Sequence, residues 1–151
     1  MKPTVCFKFY TLLISVTNNR VGSLLDEEKY ARILNRLYEK KPFHVVVNGE
    51  LKDREKSQKL WKRLKMPARL IVTEHLSEFL GLLASVDGVF VGDGGIMHLA
   101  AALGKNQVVL FGGTEVWEWG PLSEKTVCLQ HEHNVNCIPE DQILKALNEL
   151  W

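Results

Sequence analysis

The chain has 151 residues, 46% apolar and 25% charged, with nineteen Lys+Arg against eighteen Asp+Glu for a net charge of +1. Those figures fit one globular domain able to bury a sizeable core, and exclude a disordered tail, a collagen-like fibre and a disulfide miniprotein. The near-neutral balance gives no basic field for nucleic acid, and no run of 18 or more uncharged apolar residues is present to span a bilayer. Three cysteines (Cys6, Cys128, Cys137) suit a reducing, cytoplasmic setting better than a disulfide framework. The first eight residues superficially resemble a signal peptide, but Lys8 interrupts the apolar run and no small-residue cleavage site follows.

Residues 1–10 stay unassigned, either a leader or an extra edge strand. Residues 11–17 (TLLISVT) read as a buried strand, with a loop from Asn18. Tyr30, Ile33, Leu34 and Leu37 then recur at helical spacing over 26–39, with Asp26 placed as N-cap. The alternation repeats. Residues 43–48 form a strand stopped by Gly49, and 53–64 a charged helix with Leu60, Trp61 and Leu64 on its inner face, broken by Pro67. Residues 69–73 form a strand, 77–86 a helix capped by Ser77, and 88–92 a strand. A helix over 96–103 ends at Gly104, and 107–111 is a strand closed by Gly112 and Gly113. A short strand at 126–129 and a helix opened by Pro139, with Ile143, Leu144, Leu147 and Leu150 on one side, complete the pattern. Strands that are continuous apolar runs alternating with helices mean parallel pairing, right-handed crossovers and burial on both faces, hence a three-layer α/β sandwich. The longest loops are 112–124 and 130–138.

In such a sheet ligands bind beyond the carboxyl ends of the strands, where strand order reverses. The richest strand end is Val91-Gly92-Asp93-Gly94-Gly95-Ile96-Met97-His98, running into Leu99-Ala100-Ala101-Ala102-Leu103-Gly104. Its glycines permit close backbone approach, and the following helix N-terminus makes an anion site suited to phosphate. The helix has almost no polar face, which predicts burial. His98 is either a donor to a phosphate or sugar hydroxyl or a satisfied semi-buried histidine. Asp93 either caps the helix or holds sugar hydroxyls. The glycine spacing is not the dinucleotide fingerprint.

The stretch from Asp93 to Gly104, the strand end VVLFG closing at Gly112, Thr114-Glu115 and Trp119-Gly120-Pro121 together resemble the ADP-heptose:lipopolysaccharide heptosyltransferases of glycosyltransferase family 9. Residues 76–91 and 137–143 resemble the family too. The resemblance covers 11–151 and is specific over 76–121. It implies the C-terminal, donor-binding half of a GT-B fold: a Rossmann-like doubly wound parallel sheet, with 11–151 as one nucleotide-sugar-binding domain. It implies an inverting, metal-independent transfer, without cofactor, in lipopolysaccharide or other surface-glycan synthesis. The donor is then a nucleotide sugar, an ADP-sugar first among them. The acceptor, lipid-linked or saccharide, and the catalytic general base belong to an N-terminal domain that this chain does not match.

Carried onto this sequence, the resemblance puts Asp93 and His98 on the donor, with the N–H groups of Gly95 and Ile96 facing the diphosphate and Gly94 and Met97 in the same donor-binding set. Thr17 and Asn18 border the phosphates, His75 lies beside the nucleobase, and Thr114 and Glu115 complete the set. Either Glu50 or Asp53 supplies the acid after the second strand. The family's Lys and Trp-Pro pair before the first helix are missing from Arg20-Val21-Gly22-Ser23-Leu24-Leu25-Asp26; Arg20 supplies a charge in a different register. A cytoplasmic location follows, with peripheral attachment at the inner face of the inner membrane left open, as is a homodimer through the uncovered cleft. The alternative is an orphan half-domain that binds a nucleotide or a partner without transfer. A receiver-like or flavodoxin-like domain is disfavoured, because no acidic cluster follows the first strand.

Three weaker signals have plain readings. Cys128, His131, His133 and Cys137 have a spacing that is no standard zinc motif, so no metal site is assigned. Trp117 and Trp119 form either a cleft wall or, the favoured reading, a cover for the sheet edge. The basic stretch 52–65, seven Lys+Arg in fourteen residues around Trp61, reads as a solvated helix face before a membrane-contacting one.

Overall fold

Each apolar run becomes a strand with side chains buried on both of its faces. The computed structural model describes residues 9–18, 20–121 and 123–151, so most of the unassigned leader lies outside the described residues. The strands are β1 (Thr11–Ser15), β2 (His44–Gly49), β3 (Ala68–Val72), β4 (Gly88–Gly92), β5 (Asn106–Gly112) and β6 (Thr126–His131). The helices are α1 (Glu27–Tyr38), α2 (Arg54–Arg63), α3 (Leu76–Ser85), α4 (Gly95–Ala102), α5 (Val116–Trp119) and α6 (Glu140–Asn148). All pairings are parallel and the strand order is β3-β2-β1-β4-β5-β6. The expected three-layer, Rossmann-like doubly wound sheet is therefore what the chain forms.

The alternation of strand side chains between the two layers explains the continuous apolar runs. Leu12, Ile14, Val45, Val47, Phe90, Val108 and Leu110 pack in one layer with α1, α2 and α6, around Tyr30, Leu34, Leu60 and Leu144. Leu13, Val46, Val89, Val91, Val109 and Phe111 pack in the other with α3 and α4, around Phe79, Leu83, Met97 and Ala100. Phe90, fully buried against Tyr30 at a ring distance of 5.1 Å, joins the central strand to α1. Its truncation to Ala removes about 3–5 kcal/mol, the usual cost of a large core cavity.

Four local expectations need correction. Trp61 does not join the inner face of α2. Ser57 and Leu60 take those positions, and Trp61 lies at the margin with its indole N–H donating to the Ala68 carbonyl at 2.9 Å. Ser77 sits inside α3 rather than capping it, and the cap position falls on His75. Asp26 holds the cap position of α1 but its side chain makes no capping hydrogen bond. The apolar helix α4 is covered on one side only. Met97 and Ala100 are buried against the sheet, Ile96 and Leu99 line a cleft, and Ala102 and Leu103 are exposed.

Candidate functional site

The sheet reverses its winding between β1 and β4, which lie side by side. The chain leaves β1 toward the α1 layer and leaves β4 toward the α4 layer. The two departing loops part, and a crevice opens at their carboxyl ends. A cleft of about 510 Å³ occupies that position, within the usual range for a small-molecule site.

Its floor comes from the polar residues that end the apolar runs: Ser15 closing β1, Asn48 in β2 and Thr73 just after β3, all buried. They are satisfied locally. Asn48 Nδ2 donates to the Ile71 carbonyl at 3.0 Å and to Thr73 Oγ1 at 3.2 Å, and Ser15 Oγ accepts from the Thr17 N–H at 3.2 Å. Glu50, Glu74, His75, Leu76 and Phe79 form the side toward β2 and β3. The structure separates the two candidate acids. Glu50 lines the cleft, whereas Asp53 accepts a 2.7 Å hydrogen bond from Thr17 Oγ1, which in turn accepts from the Glu50 N–H at 3.0 Å.

The opposite wall is the tip of α4. Gly94, Gly95 and Ile96 line the cleft, and a Cβ added at Gly95 would meet nothing within 4 Å. The first turn of the helix therefore presents free N–H groups and the positive dipole end to open space. Between the walls lie Asn18, Arg20, Ser23 and Leu24. Asn18 Nδ2 donates to the Asp93 carbonyl at 2.9 Å, tying the loop after β1 to the end of β4. Ser23 is 1% exposed and its hydroxyl has no hydrogen-bond partner among the described residues.

Asp93 lies behind this wall, 1% exposed. One carboxylate oxygen accepts from Arg20 Nη1 and from Thr114 Oγ1, each at 2.6 Å. The Arg20 guanidinium also sits 5.7 Å from the centre of the Trp119 ring. The residues read from the sequence thus sort into groups. Thr17, Asn18, Arg20, His75, Gly94, Gly95 and Ile96 line the cleft. Asp93 holds Arg20 from behind, Thr114 holds Asp93, and Met97 is in the core. His98 is exposed on α4 outside the cleft lining, and Glu115 is exposed, accepting from Gln130 Nε2 at 3.3 Å. Sequence reasoning missed Ser15, Asn48, Thr73 and Ser23. A polar residue at the end of each apolar strand was the available signal for the first three; nothing in the sequence marked Ser23.

Elsewhere, among the described residues, no group of three or more His, Cys, Asp or Glu side chains is placed to hold a metal ion. Burial pushes the Cys128 thiol up, and His131 Nδ1 already accepts from the N–H groups of His133 and Asn134. Trp117, 83% exposed, is not buried against the sheet edge as the favoured reading has it. No described helix is long and apolar enough to cross a membrane.

A doubly wound parallel sheet with a crevice at its switch point, walled by an uncovered helix N-terminus, defines a Rossmann-like α/β domain. The family model of glycosyltransferase family 9 (heptosyltransferase) matches residues 10–149, and the chain belongs to that family. A lipooligosaccharide heptosyltransferase 2 from Haemophilus influenzae is 26% identical over 131 residues, covering 72% of this chain and 38% of its own length. The E. coli ADP-heptose lps heptosyltransferase II superposes with a TM-score of 0.81 at 23% identity, over 97% of this chain and 48% of that one. The E. coli heptosyltransferase WaaC with ADP gives 0.81 at 16% identity, over 94% and 44%. The chain thus spans half or less of the length of these relatives.

Proposed function

We propose that this chain binds the nucleotide-sugar donor of a glycosyl transfer. The carrying observation is the uncovered tip of α4 facing the 510 Å³ cleft, with the unpartnered Ser23 hydroxyl and the Arg20 guanidinium beside it. A diphosphate suits such a place, because helix N–H groups, the dipole and a cation all favour negative charge there. WaaC is known with ADP and with an ADP-2-deoxy-2-fluoro heptose, which supports an ADP-sugar as the donor here. The half of the relatives that this chain does not match then supplies the acceptor site, for a saccharide or lipid-linked acceptor, and the general base.

In this reading the acceptor hydroxyl attacks the anomeric carbon on the face opposite the diphosphate, with inversion. The departing nucleoside diphosphate is stabilised by the α4 tip and Arg20 rather than by a metal. The sequence has no Asp-x-Asp pair, which agrees with that assignment. Isothermal titration of the chain with ADP, UDP and GDP tests the reading. ADP is expected to bind most tightly, and no binding of any of them at millimolar concentration overturns it.

One observation favours a second reading, a module that binds the nucleotide without transfer. The segment Arg20-Val21-Gly22-Ser23-Leu24-Leu25-Asp26 has neither the Lys nor the Trp-Pro pair that the family resemblance implies before the first helix. Mixing the chain with a separately expressed acceptor half from a relative and assaying sugar transfer separates the two. Transfer supports the enzyme; tight ADP binding without transfer supports the module.

A further inference from the structure

Arg20 is the only Lys or Arg among the described residues that line the cleft, while Glu50 and Glu74 line it with the opposite sign. Whether an anion can be held there therefore depends on where one long side chain is fixed. Arg20 belongs to a loop and is about half exposed, a setting in which an arginine ordinarily samples many rotamers. Here it is tied on two sides, by the Asp93 carboxylate at 2.6 Å and by the Trp119 ring at 5.7 Å. Asp93 has no comparable access to a ligand. Its side chain is 2% exposed, it is absent from the cleft lining, and the oxygen that holds Arg20 also accepts from Thr114.

We propose that Asp93 is a positioning residue that acts on the bound anion only through Arg20, as part of an Arg20–Asp93–Thr114 latch joining the loop after β1 to the loop after β5. The guanidinium has five N–H donors in a rigid fork. One nitrogen is engaged by Asp93, and the rest remain for a phosphate. A carboxylate that itself met the ligand would repel a diphosphate; one buried behind the arginine orients a positive group without facing the negative one. The anion-binding part of this inference rests on the donor reading above, whereas the latch does not.

The test is a double-mutant cycle on the whole chain, with Arg20→Gln, Asp93→Asn and the pair, titrated with inorganic pyrophosphate, ADP and adenosine. Each single change is expected to weaken pyrophosphate and ADP about tenfold, and the pair no more than Arg20→Gln alone. Adenosine, lacking phosphate, is expected to bind all forms equally, an outcome that a general loosening of the fold would not give. Effects that multiply in the pair, or an Asp93→Asn chain that binds pyrophosphate normally, overturn the proposal. Hydrogen exchange without ligand is the independent arm. Asp93→Asn, or the milder Thr114→Val should the former fold poorly, is expected to speed exchange in 16–23 and 113–120 together. Unchanged exchange in either segment overturns the latch. Failure of the wild-type chain to bind pyrophosphate, ADP or adenosine would instead remove the donor reading and leave the latch to be judged on exchange.

Discussion

The two ends of a four-residue stretch, Gly92 to Gly95, have opposite surroundings. A Cβ on Gly92 would lie 1.9 Å from the Ser23 carbonyl oxygen, and one on Gly112, at the end of the neighbouring strand, 2.1 Å from that of Gly22. A Cβ on Gly95 would touch nothing. Gly92 lets the chain close on itself; Gly95 leaves the chain open to something else. The closed side presses the segment 22–23 against the ends of β4 and β5. That contact fixes one rim of the cleft, so the other rim, the helix tip, can stand unsupported. Without a ligand an uncovered helix terminus gains nothing from being bare, since its N–H groups could be capped by a side chain. The difference therefore separates residues retained for folding from those left available for binding.

The sharpest way to break this contrast is to add one methyl group at each end. Gly92→Ala drives a Cβ into backbone that has no flexible end to move, so it is expected to cost about 3 kcal/mol or more, at the upper limit of overpacking. Urea unfolding should show a large fall in midpoint or no cooperative transition. Gly95→Ala is expected to hold or raise stability by about 0.5–1 kcal/mol, because alanine is the better helix former, while weakening ADP binding at the tip. Equal destabilisation by the two changes would mean that the helix tip is packed after all.

A smaller effect is expected at the latch, the point where the two sides meet. Thr114→Val keeps the side-chain volume and deletes a 2.6 Å hydrogen bond to the buried Asp93 carboxylate. Loss of a hydrogen bond to a charged group sets the expected cost at about 1.5–3 kcal/mol, nearer the lower figure because Arg20 still serves the same oxygen. Urea unfolding measures this too. An unchanged midpoint would place the hydroxyl outside the fold's closed side.

Much of this arrangement is legible in the sequence, and the misses share a physical cause. Strands β1, β2 and β4 were readable because burial on both faces demands unbroken apolar runs such as LLI, VVV and VFV. The helix tip was readable from its glycines. Burial of α4 was wrongly expected because an apolar face signals only that water is disfavoured there; Ile96 and Leu99 spend that preference on a cleft wall. Asp93 was readable as important but not as hidden. Its partners Arg20 and Thr114 lie 73 and 21 residues away, and no local spacing carries a contact that the sheet order alone creates.

The closed side also predicts a pH response. Its backing is the segment 134–138, where Lys29 Nζ donates to the carbonyls of Asn136 at 2.6 Å and Ile138 at 2.7 Å. Glu140, which starts α6 directly after it, accepts from Arg32 Nε at 2.6 Å, and that bond holds its carboxyl below the usual glutamate range. The stabilisation is complete above the unfolded-chain value and fades as pH falls through the lower folded one. The wild-type chain should therefore exceed Glu140→Gln in urea midpoint at pH 6, with the gap narrowing below about pH 4, since an unfolded glutamate titrates near 4.3. A gap independent of pH would remove the carboxylate from this account. The effect is expected to be small, because the Arg32 side of the pair is more than half exposed to solvent.

The smallest expected change in stability is the most discriminating, because Ser23 belongs to both sides at once. Its carbonyl oxygen is the atom that forbids a side chain at Gly92, while its buried hydroxyl, in a residue that lines the cleft, bonds to nothing among the described residues. A buried hydroxyl without a partner gives up its water and receives nothing in exchange. Ser23→Ala leaves the backbone contact intact and deletes only that group, so folding stability should stay constant or rise by up to about 1 kcal/mol. ADP affinity should nevertheless fall, by the few-fold to tenfold that one hydrogen bond to an anion supplies. Unfolding and titration on the same sample read both quantities. A loss of stability would reveal a partner for the hydroxyl within the fold. Unchanged affinity would confine Ser23 to the closed side and leave the α4 tip and Arg20 to hold the anion alone.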